Sequence, residues 1–512
     1  MGNTMKKLHI IKDIFFFIII LLAFGLLLQF GLPYGQQLYT LAFGINYNTY
    51  TPPKIIQMDT SKLPPAKGVP ILLYHRVTYN YDTTNTQLNI FISQMEMLKR
   101  DGYKTITIHD LDLFLQGKLS LPPKPIIITF DDGRKDSYYT TDDVLKKLGF
   151  KATMFISTGK QDTNDHFFLS WDELRKMRDS GRWELEAHGR HSHDKIVIDD
   201  KGSIGSYLSA RIYDPKTGLE SVKDFDKRIE QDYIDGINDI KNNLGIDPKY
   251  YAIPLNDYGQ NPTNYPKEAG YNAQLTKKYF KLAFIEAYTP NEDQAHYNTY
   301  RNIYNYPGDA PFTLRRINVR DTSASQLEKM LDENYPQDPN LNLNNKDTST
   351  FKDKSINLNG SASFSSDGLH LKSDDHSQSG KVIFGDEHWS NYTIEASVKR
   401  VTGKSFGIIG YELNNDSYII FGRSNNGFYL WESKNGQKQE LSKPNMEPIK
   451  NSDFMNLKLI FKDKTVTAYL NNILIFKKLP IDFDKGNIGF KIWDNEGNGE
   501  SILQSLKVYP TN

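Results

Sequence analysis

Two adjacent carboxylates stand where a buried strand should end. The segment Lys124–Phe130 contains three consecutive isoleucines, which is typical of a buried strand, and Asp131, Asp132 and Gly133 follow it directly. The end of a core strand holds side chains rigidly, and the glycine permits a sharp turn of the backbone after the strand. Because neighbouring carboxylates repel, we expect a cation, a shared proton or solvent to compensate them. A plain solvated turn is the alternative reading of this motif.

A histidine-rich loop is the second cluster of residues that could take part in chemistry. His188, His191 and His193 follow the predicted strand Trp183–Ala187. Two histidines and a carboxylate form a known ligand set for a catalytic divalent metal, with positions left open for water and substrate. The step from His188 to His193 suits a loop that turns both imidazoles toward one ion. A second carboxylate nearby is what a water-activating base requires, whereas a polar loop without metal is the alternative.

The overall composition excludes several function classes. The 512 residues contain 62 Lys and Arg and 62 Asp and Glu, so the formal net charge is zero and nothing indicates a nucleic-acid partner. There is no cysteine, which excludes disulfides, thiolate metal sites and a cysteine nucleophile. Any metal must therefore be bound by histidine or carboxylate side chains.

Alternating strand and helix patterns surround both clusters. They predict a parallel sheet closed, or nearly closed, into a distorted βα barrel. Predicted strands are Val69–Val77, Lys124–Phe130, Ala152–Ile156, Trp183–Ala187, Tyr250–Pro254, Leu282–Glu286 and Leu314–Val319. Predicted helices are Phe91–Gly102, Thr141–Leu148, Ser170–Ser180, Asp224–Leu244 and Ser323–Asn334.

The pattern changes after about Phe351, where short strands replace helices. This region predicts an all-β sandwich, and the Asn471-Asn472 pair marks a hairpin within it. The predicted strands are Thr393–Val398, Tyr418–Phe421, Phe428–Trp431, Asn456–Phe461, Thr465–Leu470, Ile473–Phe476 and Ile488–Ile492.

An apolar segment near the N-terminus predicts a membrane anchor. Ile14–Leu32 carries no charge and is close to the ~20 residues that span a bilayer as a helix. Lysines precede it and none follows until Lys54, so the positive-inside rule places the N-terminus in the cytoplasm and the rest outside. We expect a single-pass protein of the cell membrane with an uncleaved anchor; a cleaved signal peptide is the alternative.

The two clusters together resemble a known enzyme family. The motif Thr129-Phe130-Asp131-Asp132-Gly133, followed by His188 and His193, resembles the NodB-type polysaccharide deacetylases of carbohydrate esterase family 4. The segment Leu72-Leu73-Tyr74-His75 and the five-residue histidine step resemble the branch that acts on poly-N-acetylglucosamine and related exopolysaccharides. The resemblance covers about residues 69–320 and implies a metal-dependent N-deacetylase of an exopolysaccharide or cell-wall glycan.

The resemblance assigns roles to individual residues. It implies that Asp131 is the general base and that Asp132, His188 and His193 bind the metal, with Zn²⁺ as the default and Co²⁺, Ni²⁺, Fe²⁺ or Mn²⁺ as alternatives. It also implies that the peptide N–H of Leu255 stabilises the oxyanion. Metal-activated water would then be the nucleophile in hydrolysis of the amide. The candidate substrate-binding residues are Tyr74, Arg190 and Tyr258.

Two family features are missing from this sequence. Ala252 stands where the family has an arginine that orients the base, so Arg190 or Arg316 would have to substitute. The family's Leu-x-His motif, which supplies the general acid, is absent, and His75 and His296 are the remaining candidates.

The C-terminal region resembles concanavalin-like and laminin-G-like jelly rolls that bind glycans. The resemblance implies a carbohydrate-binding module, although aromatic side chains in a sandwich are commonly core residues. The aromatic residues that could stack on sugars are Trp389, Tyr411, Tyr429, Trp431 and Trp493.

We therefore expect the following organisation and partners. Residues 1–35 form the cytoplasmic tip and anchor, 36–68 a spacer, 69–335 the deacetylase domain, 336–350 a linker and 351–512 the β-sandwich. The expected partners are the polysaccharide, the membrane and other proteins of polysaccharide synthesis or export. The alternatives are a catalytically inactive, glycan-binding relative and a glycoside hydrolase that uses Asp131 and Asp132. Adjacent strand residues point to opposite faces, which disfavours the hydrolase.

Overall fold

The structure is a computed structural model that describes residues 50–511, except 81–83, 162–164, 258–263, 266–269, 288–302, 321, 354, 375–377, 415 and 443–452. The chain divides into two compact units at Pro336 and Gln337. The predicted anchor, Ile14–Leu32, lies outside the described residues. No helix among those described is both long and apolar enough to span a membrane.

Seven parallel strands of the first unit close into a barrel, as the sequence predicts. Each strand pairs with the next in the order β1-β7-β6-β5-β4-β3-β2, and β2 pairs with β1 to complete the circle. The strands are β1 (Val69–Tyr74), β2 (Pro125–Phe130), β3 (Ala152–Ile156), β4 (Trp183–Ala187), β5 (Tyr250–Ala252), β6 (Leu282–Ala287) and β7 (Leu314–Asn318).

Alternation along these strands sorts side chains between the inside and the outside of the barrel. The inward-facing apolar residues form one buried cluster, which includes Ile71, Ile127, Phe155, Ala252, Phe284 and Leu314. Toward the carboxyl ends of the strands, the inward-facing residues become polar. Glu286 and Arg316 lie within their strands, and three others directly follow a strand end: His75, Asp131 and His188. Because the strands are parallel, these polar residues gather at a single end, formed by the carboxyl ends of the strands.

Helices cover the outside of the barrel, where a second buried cluster joins them to the outward-facing residues. The helices of this unit are α1 (Leu88–Arg100), α2 (Ile108–Leu115), α3 (Lys135–Leu148), α4 (Trp171–Asp179), α5 (Val222–Leu244), α6 (Tyr271–Tyr279) and α7 (Ala324–Glu333). The short strands are Val77–Thr78, Thr86–Gln87, Lys104–Thr105, Lys195–Val197, Ile204–Ser206, Tyr213–Asp214, Gly218–Leu219 and Tyr304–Asn305, and short 3₁₀ turns cover Thr158–Lys160 and Pro254–Asn256.

Helix α3 begins earlier than the apolar pattern predicts, at Lys135 instead of Thr141. The buried positions of its first two turns are Asp136, Ser137 and Thr140, which carry no apolar signal. The N-terminus of α4 agrees with its prediction, since Ser170 and Glu173 form a reciprocal capping box.

The second unit is made of two antiparallel sheets, in agreement with the predicted all-β module. An eight-stranded sheet contains Leu341–Asn344, Ser361–Ser365, Gly368–Lys372, Tyr392–Thr402, Met455–Lys462, Thr465–Leu470, Ile473–Pro480 and Glu500–Pro510. A seven-stranded sheet contains Ile356–Asn359, Ser379–Phe384, Ser405–Asn414, Ser417–Ser424, Gly427–Lys434, Gln437–Ser442 and Asn487–Trp493. Residues of both sheets share one hydrophobic core. The jelly-roll classification stays a prediction.

Two details of the second unit differ from expectation. The predicted linker, residues 336–350, is largely structured: Leu341–Asn344 pairs with the last strand, and α8 (Thr348–Asp353) begins within it. Trp389 and Tyr411 lie in the core, which removes them as sugar-stacking candidates. The other three candidates are Tyr429, Trp431 and Trp493. Their neighbours along the strand lie in the core, so these three side chains face away from it.

A half-buried carboxylate supports the amino-terminal end of the barrel. Glu184 at the start of β4 accepts hydrogen bonds from the peptide N–H of Ile108 (2.8 Å) and of His109 (3.4 Å), at the N-terminus of α2. It also accepts one from the Thr153 hydroxyl (3.0 Å). Burial raises the pKa of Glu184 above its usual value despite these bonds. The charged form is therefore less favourable in the folded protein than in the unfolded chain.

We expect Glu184→Gln to become relatively more stable as the pH rises. A raised folded pKa means that the stability contributed by Glu184 is complete below its unfolded pKa of about 4.3 and is lost as the pH rises through the folded pKa. The free energy of unfolding of both proteins, from urea titrations at about pH 4 and about pH 7.5, measures this difference. The exposed Glu333→Gln on α7 is the control. A difference that is independent of pH would contradict the prediction.

Candidate active site and metal centre

The adjacent carboxylates share one site because the backbone turns sharply between them. Asp131 continues the inward alternation of β2, and an extended neighbour would point outward. Asp132 instead adopts a left-handed conformation, with φ of 73°, and Gly133 follows with φ of 74°. As a result, the Nε2 atom of His188 is 3.7 Å from Asp131 Oδ2 and also 3.7 Å from Asp132 Oδ1. Left-handed non-glycine residues are uncommon and concentrate at functional sites.

Arg316 on β7 fixes Asp131 with two parallel hydrogen bonds. Its Nη1 donates to Oδ1 at 2.6 Å and its Nη2 donates to Oδ2 at 2.8 Å, and both side chains are fully buried. Burial alone would raise the pKa of Asp131, but Arg316, with His188 and His75, holds it well below its usual value. Asp131 is therefore an ionised, immobilised carboxylate, which is the state a general base needs.

The choice between Arg190 and Arg316 as the partner of Asp131 is thus resolved in favour of Arg316. The Arg190 guanidinium is engaged elsewhere, since its Nε donates to Asp239 Oδ2 on α5 at 2.9 Å. Its predicted contact with substrate stays a prediction.

Asp132, His188 and His193 offer three ligand atoms that all lie within 4.8 Å of one another. The His193 Nε2 atom is 3.6 Å from Asp132 Oδ1, and the two imidazole centres are 4.7 Å apart. His188 Nδ1 is 2.8 Å from the carbonyl oxygen of Ala252. A carbonyl only accepts, so Nδ1 carries the proton and Nε2 keeps its lone pair for a metal. The donor set fits a divalent cation and does not select among zinc, iron, cobalt, nickel and manganese.

The histidine loop is shaped by Asp232 on α5. This carboxylate accepts hydrogen bonds from the peptide N–H of Arg190 (3.2 Å) and of His191 (2.7 Å), and from the Ser192 hydroxyl (2.9 Å). Gly189 turns the chain with φ of 73°, and a Cβ there would lie 1.9 Å from Ser192 Oγ. The residues between His188 and His193 therefore fold back on Asp232, which explains the five-residue spacing of the two ligands.

His75 and Glu286 form a second pair beside the base. Their Nε2 and Oε1 atoms are 3.2 Å apart, and both residues group with Asp131. Burial would lower the pKa of His75, but the hydrogen bond and charge of Glu286, with the charges of Asp131 and Asp132, raise it to about 9. The protonated imidazolium of His75 is therefore favoured at neutral pH.

The turn Pro254–Asn256 presents a peptide N–H at the same end of the barrel. Leu255 is left-handed, with φ of 56° and ψ of 19°, and its side chain is 48% exposed. The Asn256 amide donates to the Glu286 carbonyl at 3.0 Å and accepts from the Glu286 N–H at 2.6 Å. Within the described part of the chain, the Leu255 N–H has no hydrogen-bond partner.

The remaining predicted residues are placed as follows. Tyr74 is 1% exposed, stacks on Phe130 and donates its hydroxyl proton to Gln94, so it occupies a core position. Tyr258 and His296 lie outside the described residues. Sequence reasoning missed Glu286, although its place two residues beyond the inward-facing Phe284 was a usable signal.

Comparison with known proteins agrees with this geometry. Residues 118–274 match the model of the polysaccharide deacetylase family. The chain contains a polysaccharide deacetylase domain. The matched range includes Asp131, Asp132, His188, His193 and Leu255.

Relatives of the deacetylase domain have informative names. One from Escherichia coli (strain K12) is 21% identical over 262 residues, which cover 48% of this chain and 38% of that protein. One from Staphylococcus aureus (strain MRSA252) is 31% identical over 118 residues, which cover 22% of this chain and 39% of that protein. Both are named poly-beta-1,6-N-acetyl-D-glucosamine N-deacetylase. The chain thus spans less than half the length of the curated relatives it matches.

A solved structure of a de-N-acetylase from Aggregatibacter actinomycetemcomitans aligns with a TM-score of 0.42 and 22% identity. The alignment covers 52% of this chain and 100% of that chain.

We expect Gly189→Ala to weaken Zn²⁺ binding by about tenfold or more, because the new Cβ would displace Ser192 and with it the path to His193. Isothermal titration calorimetry of the full chain measures the affinity. Gly181→Ala is a matched control, since Gly181 has φ of 67° and its added Cβ would meet nothing within 4 Å. Equal affinities for the two variants would contradict this account of the loop.

Proposed function

We propose that this protein is a membrane-anchored, extracytoplasmic, metal-dependent deacetylase that removes N-acetyl groups from an N-acetylhexosamine polysaccharide. The observation that carries the proposal is the pairing of an ionised, arginine-fixed Asp131 with the neighbouring ligand set Asp132, His188 and His193. A base beside a metal site with open positions is what hydrolysis of an amide requires.

Asp132, His188 and His193 would hold the metal, for which we propose zinc. When bound, a divalent cation here would supply Lewis acidity, which acidifies water and polarises an amide carbonyl. Asp131 accepts the proton of the attacking water. Arg316 keeps the carboxylate oriented during this transfer, since both guanidinium nitrogens hold it.

The attack of water on the acetyl carbon leaves negative charge on the carbonyl oxygen. We assign the Leu255 N–H to this oxyanion because this donor is unpaired in the described part of the chain and lies in a left-handed turn that follows β5. Donors of this kind contribute about 3–4 kcal/mol to transition-state stabilisation. The Asn256 amide holds the turn against β6 and so maintains the position of the donor.

The C–N bond then breaks, and the departing amine needs a proton. His75 is our proposed donor, since Glu286 keeps it protonated and it groups with Asp131 at the site. Acetate and a glucosamine-type residue are the products. His75 thereby replaces the histidine that the absent Leu-x-His motif would have supplied.

The substrate and the location rest on separate support. Relatives named poly-beta-1,6-N-acetyl-D-glucosamine N-deacetylase favour a poly-N-acetylglucosamine type of glycan. The apolar segment Ile14–Leu32, preceded by lysines, favours a single-pass anchor with both described units outside the cell. Polysaccharide synthesis or export proteins in the same membrane are the proposed partners.

The alternatives fit the geometry less well. A glycoside hydrolase needs one carboxyl group that stays protonated at neutral pH, whereas Arg316 holds the pKa of Asp131 well below its usual value. An inactive relative would be expected to lack the arginine and the acid, but Arg316 and His75 stand in for both.

The deciding experiment measures acetate released from poly-N-acetylglucosamine and, in parallel, from peptidoglycan by the full chain. We expect release that a chelator abolishes and that Asp131→Asn lowers by about 10²–10⁴-fold, because the base is lost. The exposed Asp179→Asn on α4 is the matched control. The absence of acetate from either polymer, with zinc still bound, would favour the inactive, glycan-binding alternative.

The pH profile tests the role of His75. In Glu286→Gln, the carboxylate that raises the pKa of His75 is gone, so the imidazolium should lose its proton at lower pH. We expect the alkaline limb of kcat/KM to move to lower pH, while Glu333→Gln leaves it in place. An unmoved alkaline limb would exclude His75 as the titrating acid.

A further inference from the structure

The outer face of the seven-stranded sheet is unusually apolar for a surface. An antiparallel sheet with one face on the core commonly presents polar side chains on the other. Here Ile409, Tyr418, Ile420 and Tyr429 form a buried cluster separate from the sandwich core, and Trp431 packs against it. Strand pairing brings these residues together, since Ile420 lies opposite Trp431 in adjacent strands. The face therefore has a hydrophobic floor of its own.

A cavity of about 400 Å³ opens on this face. Its walls include Tyr418, Phe428, Tyr429, Trp431 and Trp493, and the Trp493 ring is 42% exposed. The volume falls within the range of small-molecule sites. Flat aromatic walls of this kind suit the apolar faces of sugar rings, and Trp493 has an accessible ring surface for such a contact.

The cavity is also positively charged. Lys404, Lys438 and Lys491 line it, whereas Glu440 is the single acid among the lining residues. Glu440 is engaged, because it accepts a hydrogen bond from Trp431 Nε1 at 3.2 Å. Lys438 lies over the Trp431 ring at 5.6 Å.

Lys491 is the most informative of the three lysines. It is half-buried, donates to the Tyr418 hydroxyl at 3.0 Å and lies 5.0 Å from the centre of the same ring. Within the described part of the chain, no carboxylate lies within ion-pairing distance of it, and Asp416 acts on it only at longer range. The neighbouring Lys381 shows the contrast, since its ammonium pairs with Glu412 at 2.9 Å. A half-buried ammonium without a counter-charge is costly, and an anionic ligand would offset that cost.

We propose that this face binds a carbohydrate that carries negative charge, with a sugar ring on Trp493 and the anionic group at Lys491. The anionic group is a carboxylate or a phosphate, both of which an ammonium recognises. Cationic, deacetylated glucosamine units are disfavoured by the same lysines. The module would thus bind a different polymer from the one the barrel produces. This proposal does not depend on the deacetylase activity.

The test compares four oligosaccharide classes as ligands of the full chain by isothermal titration calorimetry. They are an oligogalacturonate, a polyol-phosphate oligomer of the teichoic type, a neutral chito-oligosaccharide and its deacetylated form. We expect binding of the carboxylate or the phosphate ligand that weakens with added salt. Preference for one of these two identifies the anionic group. Equal or tighter binding of the neutral or the cationic ligand at this face, or no binding of either acidic ligand, would overturn the proposal.

Variants locate the binding to the cavity. Lys491→Met keeps the apolar stem and removes the charge, and we expect it to weaken anion binding by about tenfold or more. Trp493→Ala and the more exposed Lys438→Ala should also weaken it, and they remain informative if Lys491→Met folds poorly. Lys507→Met on the opposite sheet is the control and should bind normally. Acetate release from short soluble oligosaccharides should be unchanged in all four variants, which separates failure of this proposal from failure of the proposed deacetylase.

Discussion

The buried pair between Arg316 and Asp131 is the interaction on which the first unit is organised. Two ions without solvent contact are tolerated only when geometry is close to ideal and further hydrogen bonds are available. The double hydrogen bond meets the first condition. The second is met only in part, because Thr129 accepts a long hydrogen bond from Nη1 at 3.5 Å and the Phe155 ring lies 5.2 Å from the guanidinium, while Nε has no partner among the described residues. One end of the barrel interior is therefore polar, while an apolar cluster fills much of the remainder.

Around this pair, three of the candidate functional groups each have a partner that favours one protonation state. Arg316 keeps Asp131 anionic, Glu286 keeps His75 cationic, and the Ala252 carbonyl keeps the proton of His188 on Nδ1. The Asn256 amide connects the Leu255 turn to the backbone of Glu286, so the proposed oxyanion donor and the carboxylate partner of His75 are held together.

Much of this arrangement was readable from local patterns, and the remainder depended on closure of the barrel. The strand patterns predicted β3 and β4 to the residue, and the Asp131-Asp132 and His188–His193 motifs identified the candidate metal site. The start of α3 was missed because polar residues occupy its buried face. The choice of Arg316 over Arg190, and the existence of Glu286 as a partner, required knowing which distant strands meet. Likewise, alternation alone did not separate the core residues Trp389 and Tyr411 from the outward-facing Trp493.

Closure between the first and last strands has a consequence for how the protein is made. His75 enters with β1, the metal ligands and Asp131 come from the middle of the chain, and Arg316 arrives only with β7. A nascent chain that ends before β7 holds the candidate metal ligands but leaves Asp131 without its arginine partner. Water cannot be excluded from the polar end of the barrel until that last strand has paired. During synthesis, therefore, the candidate catalytic centre should assemble in a single late step, after nearly the whole first unit has been made.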